Sequence, residues 1–201
     1  MKMKPNSKQH NLIIRDDLNY LNMEEIKSLC KTFNLPFQIH YEDENGKIKR
    51  TSEVERKPYL LDRIYNFIQG KKSQKPIIYS KKIVKMGPFK TKYLPTDFIL
   101  YGDFKSTNKL LINLLKFLSD QKFKFGAIAF IVAHELWRKN KRVTLEDFAK
   151  KWVKADKNHT APLKEWAYLT DLQNGFTQSE WKKFRKNKAE KMMKDLLEIN
   201  S

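Results

Sequence analysis

The sequence predicts a mainly α protein with minor β content, organised as two domains. Three observations lead there. Apolar residues recur at i, i+3, i+4 and i+7 in several separate segments, the spacing of one buried helix face. One short region instead alternates apolar and polar residues about Asn45-Gly46, a strong hairpin-turn signal. Between the two halves, "GKKSQKP" at 70–76 combines a glycine, a proline and lysines with no apolar period, as a linker does. The expected layout is a flexible lead-in at 1–11 and a first domain at 12–72 with a hairpin inserted at 37–51. The linker proper is 73–76, and a mainly helical second domain with short strands occupies 77–201.

In chain order, "MEEIKSLCKTF" at 23–33 places Ile26, Leu29, Cys30 and Phe33 on one helix face. Asn22 is its expected N-cap, Glu24 and Glu25 suit the first turn, and Leu35-Pro36 ends it. "FQIHYEDENGKIKRTS" follows as the hairpin, with a type I′ turn expected at Asn45-Gly46. Its acidic approach (Glu42, Asp43, Glu44) faces a basic return (Lys47, Lys49, Arg50), which cross-strand pairing alone would stabilise mildly. The next helix, within "VERKPYLLDRIYNFIQGKK", buries Leu60, Leu61, Ile64, Phe67 and Ile68 and carries Pro58 where a first helical residue is tolerated. It begins beside two cations, Arg56 and Lys57, although positive charge is unfavourable at that end of the helix dipole.

Residues 77–104 read as extended and turn-rich, with short strands and Gly87-Pro88 and Pro95 as breakers. A helix over 106–119 is expected to bury Leu110, Leu111, Leu114, Leu115 and Leu118 under a Ser106 or Thr107 cap. Residues 125–138 form a nearly apolar core helix. "TLEDFAKKWV" opens another, with Thr144 as N-cap and Leu145, Phe148, Ala149 and Trp152 inward. Helical patches at 164–169 and 178–199 complete the chain, and there is no internal repeat.

Composition narrows the function. With 201 residues, 40% of them hydrophobic and 12% aromatic, the chain buries a true core. Its 41 Lys and Arg against 23 Asp and Glu leave a formal charge of +18. That excess repels itself in a compact state and favours an anionic partner, nucleic acid first. The single cysteine excludes an internal disulfide framework, and Cys30 is expected to be a small buried hydrophobe. No apolar h-region follows the charged start, and "FGAIAFIVA" at 125–133 falls short of the roughly 18 residues of a membrane span. A cytoplasmic protein without membrane contact is expected, nucleoid-associated if bacterial.

Catalytic signals are sparse. "HELWR" at 134–138 begins like a zinc-protease helix, but Arg138 stands where the second histidine belongs. His10, His40, His134 and His159 are scattered, and no Cys or His pair has zinc-ligand spacing. Asp16, Asp17 and Asp62 have no matching acid cluster, and no glycine-rich phosphate loop is present. No catalytic residue, metal or cofactor is therefore assigned. Trp137, Trp152, Trp166 and Trp181 lie at helical spacing and are expected to be mostly core rather than stacking platforms.

"LNMEEIKSLCKTFNLP" followed by "KPYLLDRIYNFIQGKK" resembles a SAP domain, a small helical DNA-binding module. Lys57, Tyr59, Leu60, Leu61, Arg63 and Ile64 carry the likeness. The hairpin stands where SAP modules have a short glycine-containing loop. Residues 103–152 resemble a bacterial domain of unknown function that follows SAP-like modules, through "FKF" at 123–125 and "TLEDFAKKW" at 144–152. The first resemblance implies non-catalytic binding of DNA, with RNA and an acidic protein partner as alternatives; oligomeric state is left open. The residues expected to contact phosphate are Lys47, Lys49, Arg50, Arg56, Lys57, Tyr59, Arg63, Lys71 and Lys72, with Arg56 and Lys57 holding a phosphate at a helix N-terminus.

Overall fold

The computed structural model describes residues 15–71, 75–159, 162–173 and 175–199. The expected lead-in at 1–11 lies outside them. Among the described residues the protein is mainly α with one small sheet: α1 (Met23–Thr32), β1 (Gln38–Glu42), β2 (Ile48–Val54), α2 (Lys57–Ile68), β3 (Ile78–Tyr79), α3 (Lys109–Leu118), α4 (Ala127–Arg138), α5 (Leu145–Lys157) and α6 (Gln178–Ile199).

Two compact units form, and both are discontinuous in sequence. The first takes 1–38, 53–76 and 161–201; the second takes 39–52 and 77–160. This corrects the linear division at 73–76 in two places. The hairpin belongs with the second unit because β1 pairs in parallel with β3, His40 opposite Ile78 and Tyr41 opposite Tyr79, and Ile39 enters that unit's core. The C-terminal helix belongs with the first because Ala189, Met192 and Leu196, three and four residues apart, bury against the same cluster as Ile26, Leu29 and Leu61.

In the first unit α1 starts as expected. Asn22 Oδ1 accepts from the Glu24 and Glu25 amides at 2.9 Å, and the Glu25 carboxylate accepts from the Asn22 amide at 2.7 Å, completing a capping box. Asn34 (φ 51°) and Gly70 (φ 65°) end α1 and α2 in the left-handed conformation, returning amides to the last helical carbonyls. Cys30 is fully buried, and burial pushes its thiol up to about 11. It packs as a hydrophobe.

In the second unit the sheet order is β2-β1-β3, with β2 at one edge. The hairpin turn differs from the expected type I′. The Asp43 amide bonds Lys47 O and the Gly46 amide bonds Asp43 O, so Glu44, Asn45 and Gly46 form a three-residue loop in which Gly46 alone takes a positive φ (+78°). The extended stretch 77–104 holds β3, a 3₁₀ turn at Lys81–Ile83 and two isolated bridges, Val84 to Tyr101 and Phe98 to Thr144. At the first bridge Gly102 is indispensable: its φ is +96°, and a Cβ there would sit 2.0 Å from Lys85 O.

The cap of α3 is Asn108 rather than Ser106 or Thr107. Asn108 is buried and satisfied on both sides, accepting from the Leu111 amide and donating to Tyr93 Oη at 2.8 Å and Asp103 O at 2.9 Å. Leu111 and Leu115 are buried and Leu114 and Leu118 pack partly buried against the core as expected, but Ile112 is buried as well and Leu110 is 51% exposed, so the face is turned toward Ile112. The α5 face matches expectation, with Leu145, Phe148, Ala149 and Trp152 buried in the same cluster as Ala133 and Trp137 of α4. Trp137, Trp152 and Trp181 are core residues; the patch at 164–169 reduces to a 3₁₀ turn, Lys164–Trp166.

Candidate nucleic-acid interface

The cations at the start of α2 turn inward. Lys57 is 8% exposed; its Nζ donates to Asn19 O and Glu165 O, both at 2.7 Å, and lies 4.0 Å from the centre of the Tyr168 ring. Burial pushes its ammonium down to about 7, against the opposing pull of Glu165. Arg56 pairs with Glu165 at 2.9 Å. Arg63, 2% exposed, pairs with Glu55 at 2.6 Å and donates to the carbonyls of Pro36 and Lys75. These facts correct the expectation of a phosphate at this helix start. A carboxylate and protein carbonyls occupy the cations that a phosphate would need, and they also explain why two cations tolerate the positive end of the dipole.

The other nominated residues fall into two groups. Tyr59 is half-buried and Lys71 is exposed beyond the end of α2, both in the first unit, while Lys72 lies outside the described residues. Lys47, Lys49 and Arg50 are exposed on β2 and its turn, in the second unit. Lys49 meets Asp43 at 2.9 Å; the lysine holds the aspartate below its ordinary value, and the aspartate holds the lysine above its own.

The hairpin cations have neighbours that the sequence kept apart. Asn140 follows α4 in the left-handed conformation (φ 50°), and its side chain reaches back to the end of β3: Oδ1 accepts from the Ser80 amide at 2.8 Å and Nδ2 donates to Ile78 O at 3.5 Å. That clamp fastens the turn carrying Lys139 and Lys141 to the segment carrying Lys81 and Lys82, all four exposed. Arg142, also exposed, lies 3.8 Å from the centre of the Phe98 ring. The Lys81 amide donates to Glu42 at 3.3 Å, joining this segment to the end of β1 where the hairpin turn begins. One end of the sheet therefore gathers three basic runs: the hairpin return, residues 80–82 and residues 139–142.

A cleft of about 230 Å³ opens in the same surface. It is lined by Tyr41, Val84 and Met86, by Asp43, Glu44 and Asn45 of the turn, and by Lys49 and Lys81. The stretch 83–86 is fixed to Tyr101 by two backbone bonds of 2.8 Å, Lys85 N–H to Tyr101 O and Tyr101 N–H to Ile83 O, and by Lys85, whose Nζ meets the buried Asp103 at 2.9 Å. Sequence reading passed over Lys81, Lys82, Lys139 and Lys141. "SKK" and "KNKR" are visible as charge runs, but their meeting depends on one asparagine after α4.

Among the described residues no group of three or more His, Cys, Asp and Glu could hold a metal ion. His134, from the zinc-like motif, packs against Trp137 and has its Nδ1 3.0 Å from Tyr79 Oη. No helix among the described residues is long and apolar enough to cross a membrane. No family model, curated protein or solved structure matches the chain.

Proposed function

We propose that this protein binds nucleic acid, DNA in the first instance, through backbone phosphates and without catalysis, using the basic end of the second unit's sheet. The observation that carries the reading is the Asn140 clamp, which joins Lys81 and Lys82 to Lys139 and Lys141 on the surface that also holds the hairpin cations. Exposed lysines and arginines converging from separate segments form an electrostatic footprint for a polyanion, and a net charge of +18 adds long-range attraction. The resemblance of the α1–α2 pair to a SAP module favours DNA over RNA and over an acidic protein.

Fluorescence anisotropy with a labelled duplex tests it. Binding is expected to show little sequence preference and to weaken steeply between about 50 and 200 mM salt, because association releases counterions. Replacing Lys81, Lys82, Lys139 and Lys141 together by Ala is expected to make the salt slope shallower by about one unit for each phosphate no longer neutralised, leaving the melting temperature unchanged. Equal affinity and slope in parent and variant would sink the assignment.

A further inference from the structure

We propose that the cleft between the hairpin turn and residues 81–86 receives a single unpaired nucleobase while the surrounding lysines hold the flanking phosphates. The inference rests on the phosphate-binding reading and names what that surface selects. At about 230 Å³ the cleft is smaller than the roughly 300–1,000 Å³ pockets that enclose a drug-sized ligand, so it suits one ring system rather than a strand. Its construction follows the demands of a base. Tyr41 and Val84, half-buried against the core, contribute aromatic and aliphatic lining on which a base can stack, and Met86, 53% exposed, adds to it. Lys81, exposed, lines the same cleft and can meet the sugar-phosphate beside an extruded base, while Lys49 is held by Asp43 at 2.9 Å.

The acidic turn acquires a reason within this arrangement. Carboxylates inside a phosphate-binding surface weaken affinity unless they meet hydrogen-bond donors. Asp43 is occupied by the protein itself: Oδ1 accepts from the Asn45 and Lys47 amides and Oδ2 faces Lys49. Glu44, exposed at the cleft, makes no hydrogen bond or ion pair within the described residues, and Asn45 beside it adds an amide. A free carboxylate accepts from an exocyclic amino group, such as cytosine N4, and finds no such group on thymine. The cleft is accordingly selective for an unpaired amino-bearing base.

The test compares three probes on the full chain: a plain duplex, the same duplex with one bulged cytosine, and one with a bulged thymine. The bulged cytosine is expected to bind about tenfold more tightly than the plain duplex, the scale of one stacked base, and more tightly than the bulged thymine. Met86→Ala and Tyr41→Leu are expected to remove the bulge preference while plain-duplex affinity holds, and Glu44→Ala, at an exposed position, to erase the cytosine-over-thymine difference alone. Melting temperatures confirm that the variants fold. A plain duplex bound as tightly as both bulged ones overturns the base cleft and leaves phosphate binding standing, as does a bulge preference that survives all three variants. Failure to bind any probe overturns both.

Discussion

The two units use positive charge in opposite ways. In the first, the cations of α2 point into the protein: Lys57 on carbonyls, Arg56 on Glu165, Arg63 on Glu55. Arg185 of α6 does likewise, donating to Tyr20 O at 2.8 Å and pairing with Glu25. In the second unit Lys47, Arg50, Lys81, Lys82, Lys139 and Lys141 face water, and Lys85, paired with Asp103, braces the cleft wall. A lysine in a sequence carries the same charge in either setting. Its partners decide whether it contributes to stability or to recognition. A buried pair costs desolvation and resists removal of one member, whereas an exposed cation contributes little to folding and remains free for an anion.

The largest effect is expected from breaking that inward network at its driest point. Arg63→Ala removes the buried guanidinium paired with the Glu55 carboxylate, 4% exposed, and is expected to cost about 3–5 kcal/mol in denaturant unfolding. A cost of less than about 1 kcal/mol would show that water relieves Glu55 and that the inward network is weaker than its geometry. In the second unit, Gly102→Ala drives a Cβ into Lys85 O at a positive φ and is expected to cost at least about 1–3 kcal/mol. It should also loosen the cleft wall, seen as faster amide exchange at Lys85 and Tyr101.

Lys57 sharpens the comparison through pH. Its folded value of about 7 lies below its ordinary 10.5, so between those limits the unfolded chain binds a proton that the folded chain does not. Stability therefore rises with pH across this window, by up to about 1.4 kcal/mol per unit from this group. The penalty is fully present below pH 7. The parent is expected to gain more melting temperature between pH 7 and 9 than Lys57→Met does; equal gains would show that Lys57 is solvated. The smallest effect belongs to Arg56→Ala, which removes an ion pair whose side chains are 20% and 19% exposed. It is expected to cost at most about 1 kcal/mol and to leave the salt dependence of DNA binding unchanged. A shallower slope would return a phosphate to the start of α2.

Much of the fold was legible because it is written in local spacing. Leu60, Leu61, Ile64 and Ile68 bury one face of α2 as a 3.6-residue period requires, and Thr144 caps α5, accepting from the Asp147 amide at 3.1 Å. Where local chemistry offered several answers, tertiary contacts chose. Ser106, Thr107 and Asn108 can all cap a helix, and only Asn108 also reaches Tyr93 and Asp103.

The sequence by itself determined helix periodicity, most caps, the hairpin, the burial of Cys30 and the excess of positive charge, because each depends on neighbours within a few residues. Only the tertiary structure decided that the hairpin pairs with β3 and that α6 joins the first unit, since both depend on apolar faces far apart in the chain. It also decided which cations are available. Lys57 and Lys81 both sit in short basic runs, yet one meets Asn19 and Glu165 in the interior and the other is exposed and lines the cleft. Coulombic attraction and desolvation act through space, and the positions of their partners are set by the fold rather than by the order of residues.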